Sequence, residues 1–207
     1  MIAVVGTGRA AADPDVVRVR LGVSVLRPGA AAAVAGADDG VRRVRAALTA
    51  LGVPARDAST QGLSVTAEQV WTEGEGPRIA GFRADHELLV TVRDLSAVGQ
   101  LLGELLTAGG DDARLHGVEF AVEDADQLRA EAREAAWWDA LARATQLAGL
   151  SGCRLGAVQQ LAEGTVAGPV PMMFAKAEGI AVSAAAVDVQ PGTVSVEVTL
   201  SVSWATD

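Results

Sequence analysis

Ile2-Ala3-Val4-Val5-Gly6-Thr7-Gly8-Arg9-Ala10-Ala11-Ala12-Asp13-Pro14-Asp15 runs into Val16-Val17-Arg18-Val19-Arg20-Leu21-Gly22-Val23-Ser24-Val25-Leu26, and the second half decides how the first is read. A strand followed by Gly-x-Gly-x-x-Ala is the opening of a dinucleotide site, where a helix N-terminus receives the pyrophosphate. Here Pro14 stands where that helix should be under way, and Val17, Val19, Leu21, Val23 and Val25 then alternate with Arg18, Arg20, Gly22 and Ser24 at strand period. A second strand offers a phosphate no row of free amides. No cofactor is expected, and Gly6 and Gly8 are read as relieving crowding near a strand end.

Working outward, Pro28-Gly29 opens a segment in which Val34, Ala37, Val41, Val44, Leu48 and Leu51 recur at steps of three and four, an amphipathic helix stopped at Gly52. Gly36 and Gly40 inside it each cost about 1 kcal/mol relative to alanine, so this helix is expected to gain its stability by packing closely on a sheet. Leu63, Val65, Ala67 and Trp71, then Phe82, Ala84, His86, Leu88, Val90 and Val92, alternate on either side of a Gly- and Pro-bearing turn, which predicts a long antiparallel hairpin. Asp94 can cap a second helix carrying Val98, Leu101, Leu102 and Leu105, and Val118, Phe120 and Val122 predict the next strand. Residues 16–122 therefore read β-α-β-β-α-β, the split βαβ order of ferredoxin-like domains in the α+β class.

Beyond them, Asp124 and Gln127 have capping-box spacing, and Ala132, Ala136, Ala140, Ala144 and Ala148 form a four-residue row that permits close approach to a neighbour. Trp137 falls in register with that row and is assigned to the core, whereas Trp138 flanks it or meets another subunit. Strands near 155–162 and 194–204 close the fold. The expectation is a single domain over 1–207, divisible into two closely packed lobes, 16–122 and 1–15 with 123–207. The connection from Glu163 to Gly192 is long and apolar, with Pro169, Pro171, Met172, Met173, Phe174 and Ile180. Disordered connections are polar and charged, so this one is expected to order against a partner surface in preference to its own domain.

The formal charge of −9 repels nucleic acid and anionic membrane surfaces. Arg42, Arg43 and Arg45 follow Asp38 and Asp39 at helical ion-pair spacing, and the cluster reads as a solvated helix face. The single cysteine, Cys153, excludes an intrachain disulfide and reads as a buried small hydrophobe. No apolar run reaches membrane-helix length, and the first residues read as a strand, not as an export signal. The chain as given is thus expected in the cytoplasm, or in the periplasm or cell envelope if it is a processed or trimmed form.

The opening I-x-V-x-G-x-G with Pro14-Asp15 resembles the start of SIMPL-domain proteins, bacterial proteins that include exported immunogenic ones. Gly52-Val53 with Asp57 and Thr60, Leu63-Ser64-Val65, Gly81-Phe82-Arg83-Ala84, Val90-Thr91-Val92-Arg93-Asp94-Leu95, Leu155-Gly156 and Pro191-Gly192 continue the resemblance over nearly the whole chain. It implies an α+β domain, often of the bacterial envelope, with no established catalytic residues and no assigned cofactor.

No G-x-S-x-G elbow, P-loop, H-E-x-x-H or metal-ligand cluster is present, so no catalytic, cofactor or metal residue is assigned. Of two histidines, His86 lies on the apolar side of its strand, where a satisfied imidazole is the plainer reading, and His116 is placed in an exposed turn. Asp57 and Thr60 sit at a strand entry, where turn chemistry accounts for both. The leading expectation is a non-catalytic, self-associating module, a homo-oligomer whose interface uses Pro169, Pro171, Met172, Met173, Phe174, Ile180 and Trp138. The alternative is a small-ligand binder or enzyme with a pocket between the lobes, for which Asp57, Thr60, Trp71 and His86 are the candidates.

Overall fold

A computed structural model of the chain describes residues 1–72, 76–164, 167–171 and 192–207. In chain order its elements are β1 (Ile2–Ala12), β2 (Val16–Arg27), α1 (Ala30–Ala50), β3 (Ala58–Thr72), β4 (Gly76–Val92), α2 (Val98–Gly109), β5 (Ala113–Ala121), α3 (Asp126–Leu150), β6 (Leu155–Glu163), β7 (Ala167–Pro171) and β8 (Val194–Thr206). The class is α+β. The described residues fall into two compact units, one of 16–72 with 76–119, the other of 1–15 with 120–164, 167–171 and 192–207.

In the first unit the sheet order is β3-β4-β2-β5. Antiparallel pairing of β2 with β4 runs from Val17 opposite Val92 to Arg27 opposite Phe82, and β3 pairs antiparallel with the other edge of β4. Val17, Val19, Leu21, Val23 and Val25 are all buried, as the strand-period reading requires. α1 buries Ala33, Ala37, Gly40, Val41, Val44 and Leu48. A Cβ on Gly40 would stand 2.6 Å from Cγ1 of Val23, and one on Gly36 3.0 Å from Cγ1 of Val25, so the two glycines bring helix and sheet together as expected. α1 ends in a Schellman motif, with Gly52 at φ +79° and Val53 N–H donating to the Leu48 carbonyl at 2.9 Å.

Asp94 caps a single 3-10 turn, Leu95–Ala97, by accepting from Ser96 N–H, and α2 starts one residue later. β5 begins at Ala113, so His116 lies within a strand, not in the expected turn; its side chain faces solvent beside Glu87.

In the second unit β8 is the central strand. β1 pairs antiparallel along it from Ile2 opposite Trp204 to Ala12 opposite Val194, while β6 and β7 share its other edge end to end. α3 lies on this sheet with Ala132, Ala136, Ala140 and Ala144 fully buried beside Val196, Val198, Leu200, Val202 and Trp204. Trp137 packs against that core, its ring 6.0 Å from the Trp204 ring. The neighbour that the alanine row approaches is therefore its own sheet, which removes the row as a reason for self-association. Gly6 and Gly8 face it: a Cβ on Gly6 would meet the Ala136 carbonyl oxygen at 2.2 Å, and one on Gly8 the Ala132 oxygen at 2.0 Å.

Three further expectations change. The N-cap of α3 is Ala125 and has no side-chain cap bond; Gln127 bonds Glu131 instead of turning back, and Asp124 accepts from Asp126 N–H. Cys153 is half-buried at the second position of another Schellman turn, after Gly152, and its N–H closes α3 on the Ala148 carbonyl. The connection after Glu163 contains β7, so the backbone of Pro169 and Pro171 belongs to a strand of its own sheet, at an edge where proline is tolerated. Met172, Met173, Phe174 and Ile180 lie outside the described residues.

Candidate functional site

The densest polar constellation in the first unit forms where α1 crosses β3 and β4. Asp38 and Arg45 lie two helical turns apart on one side of α1. The glycine-mediated approach of α1 lets both reach the sheet. Asp38 Oδ1 is 2.9 Å from His86 Nδ1, and His86 Nε2 is 3.3 Å from Thr60 Oγ1. Arg45 donates from Nη2 to that same Oγ1 at 3.2 Å and from Nη1 to the Ala58 carbonyl at 2.9 Å. The His86 side chain is 14% exposed, and Thr60 opens to solvent. A bulge adjoins it, for β3 advances two residues from Thr60 to Gly62 while β4 advances one, from Leu88 to Glu87.

Asp57 sits apart, in an open cleft of 360 Å³ lined by Leu51, Pro54, Arg56, Thr91, Arg93 and Leu101. Its side chain is only 7% exposed, and Arg93 grips both oxygens, Nη1 to Oδ2 at 2.6 Å and Nη2 to Oδ1 at 3.2 Å. That guanidinium holds the Asp57 carboxyl below the usual carboxylate range. Trp71 is far along the β3–β4 hairpin and 77% exposed. Of the four pocket candidates, Thr60 and His86 meet; Asp57 and Trp71 join neither.

In the second unit, Trp138 is 57% exposed on α3 and lines an open groove of 630 Å³ with Ala130, Trp137, Leu161 and Leu200. Its indole N–H donates to Glu134 at 3.4 Å, and Arg133 reaches Glu163 of β6 with two bonds of 2.9 and 3.1 Å, holding the Glu163 carboxyl low. Among the described residues no group of three or more His, Cys, Asp or Glu side chains is placed to hold a metal, and no helix is long and apolar enough to cross a membrane.

A family described as SIMPL, protein of unknown function (DUF541), matches residues 2–204, from the start of β1 to Trp204 in β8. The chain belongs to the SIMPL family. It is 30% identical over 194 residues to the 26 kDa periplasmic immunogenic protein of Brucella melitensis, which covers 90% of this chain and 75% of that protein; the Brucella abortus protein of the same name gives the same values. It is also 29% identical over 153 residues to the uncharacterized protein YggE of Escherichia coli K12, covering 74% of this chain and 61% of YggE.

Two residues of the SIMPL chain's site escaped the reading of the sequence. Asp38 and Arg45 are assigned by the sequence to a solvated face, but it is Arg42 and Arg43 that stay exposed there, Arg42 paired with Asp39 and Arg43 donating to the Ala108 and Gly109 carbonyls that end α2. The signal that separates them is their spacing, which puts Asp38 and Arg45 on the same side as the buried Val41 and Leu48 edge.

Proposed function

We propose that this SIMPL chain is a self-associating module and that its two units act as one domain. The observation that carries this is the outer part of the β3–β4 hairpin. β2 ends opposite Phe82, yet β3 and β4 stay paired to Thr72 opposite Gly76, as a two-stranded ribbon bearing exposed Trp71 and Ile79 on one face and exposed Val70 on the other. An isolated two-stranded ribbon is marginal in water, and clustered exposed apolar side chains mark an interface. A second copy laid on the ribbon covers it symmetrically. The match of the family across 2–204 supports reading both units as one domain, and the order β3-β4-β2-β5 supports the ferredoxin-like reading of 16–122.

Light scattering at micromolar concentration is expected to give more than one chain per particle, and Trp71→Asp with Ile79→Asp to lower that number with an unchanged circular dichroism spectrum. A monomeric parent protein overturns the reading. Deleting residues 172–180, which spares β7, tests the contribution of Met172, Met173, Phe174 and Ile180 in the same measurement, and Trp138→Ala tests that of Trp138.

The groove beside Trp138 favours a second reading, small-ligand binding within the second unit, because its volume is that of known ligand clefts. A ligand that quenches tryptophan fluorescence in the parent and not in Trp138→Ala supports it. The name of the Brucella relatives supports a periplasmic location for this chain; retention with a cytoplasmic marker after osmotic shock overturns that.

A further inference from the structure

The geometry points to an acyl-transfer site at Thr60, with Thr60 as nucleophile, His86 as base, Asp38 as the residue that positions the base, and short-chain carboxylic esters as substrates. It stands independently of self-association.

The partners fix where the protons are. An ionised Asp38 only accepts, so His86 Nδ1 carries the hydrogen and donates it to Oδ1 across 2.9 Å. In the neutral imidazole Nε2 then presents its lone pair toward Thr60 Oγ1, 3.3 Å away. Arg45 only donates, and it already donates to that oxygen at 3.2 Å, which leaves the hydroxyl hydrogen for Nε2. A nucleophile beside a base, with the base oriented by a third group, is the arrangement that activates a hydroxyl. The imidazole is largely covered while Thr60 is open, so the reacting oxygen is the part that meets solvent.

The surroundings set the substrate class. The Arg45 guanidinium, anchored on the Ala58 carbonyl, stands beside the nucleophile, where a carbonyl oxygen gains negative charge in the transition state. Leu63 lies directly opposite His86 in the ladder, and Val65 follows on the same face; both are exposed and offer an apolar shelf the length of a short acyl chain.

In the reaction Thr60 Oγ1 bonds to the ester carbonyl carbon while Nε2 takes the hydroxyl proton. The carbon–oxygen bond to the leaving group breaks, and the alkoxide takes that proton and departs as an alcohol. Water then attacks the acyl-Thr60 ester by the same route, releasing a carboxylic acid and restoring the hydroxyl. No redox partner is needed.

The full chain is assayed with p-nitrophenyl acetate and butyrate, and by intact mass after exposure to an alkyl fluorophosphonate. Turnover above buffer and a single phosphonyl adduct mapped to Thr60 are expected. Thr60→Ser keeps activity and adduct; Thr60→Ala loses both. His86→Gln lowers turnover by about 10²- to 10⁴-fold, and Asp38→Asn lowers kcat with KM unchanged, a loss that Asp38→Glu partly restores. A parent protein no faster than buffer and unlabelled by the probe overturns the assignment, as does labelling of Thr60→Ala equal to the parent's. The parent measurement needs no variant to fold. Light scattering unchanged across the variants keeps this result separate from assembly.

Discussion

A methyl group at Gly8 has nowhere to go, because backbone atoms of α3, the Ala132 oxygen and the Ala136 nitrogen, occupy the space within 2.2 Å. Gly8→Ala is expected to lower unfolding free energy by about 3 kcal/mol or more, read from urea denaturation, since backbone yields less than a side-chain tip. Gly103→Ala, in α2 with nothing within 4 Å of the added methyl, is expected to raise it by about 1 kcal/mol. Asp57 responds to pH. Its folded carboxyl is held below the ordinary value first by the hydrogen bond from Arg93, so its contribution is complete above the unfolded carboxylate range and vanishes as pH falls through the folded value. Arg93→Ala should therefore move the acid-unfolding midpoint to higher pH. Such residues were only half legible in the sequence. Gly6 and Gly8 announced crowding, but the crowding body, α3, lies over a hundred positions away, and no local period points to it. His86 announced a polar group on an apolar face, yet its partners Asp38 and Thr60 come from two other elements whose register the sequence leaves open.

At the scale of elements, α1 shows how helix-to-sheet distance governs chemistry. Gly40→Ala puts a methyl 2.6 Å from a Val23 methyl and should lift the helix by tenths of an ångström, lengthening the Asp38–His86 contact. A melting-temperature loss is expected, with the His86 Nδ1–H resonance moving upfield. Val23→Ala vacates the space, so the double variant should recover part of the loss, a coupling of about 0.5–3 kcal/mol in a double-mutant cycle. Elements with clean periods, β2, α1, β4 and β8, were readable because their buried large apolar residues recur every second position in the strands and every three to four in the helix. β7 was not, for Ala-Gly-Pro-Val-Pro has no alternation and two of its five residues lack an amide hydrogen. The capping-box spacing at Asp124 failed for a different reason: Gln127 bonds Glu131 one turn on, within the helix itself.

For the molecule as a whole, the long-range order of elements carried the α+β class and the family likeness, while the connection that suggested assembly proved in part to be a strand of its own sheet. The ribbon now bears that proposal, and at threefold lower protein concentration the scattering mass should fall if the contact is a reversible dimer. The pairing of β1 with β8 reaches beyond equilibrium. Residues 16–119 can gather as they leave the ribosome, because every strand and helix of that sheet comes from one uninterrupted stretch. β1, in contrast, is made before that stretch and meets its mate at 194–206 after it, an interval of roughly ten to forty seconds at ordinary elongation rates. Through that wait the edge of β1 that pairs with β8 stands bare, so a chain terminated before 194 is expected to be adhesive.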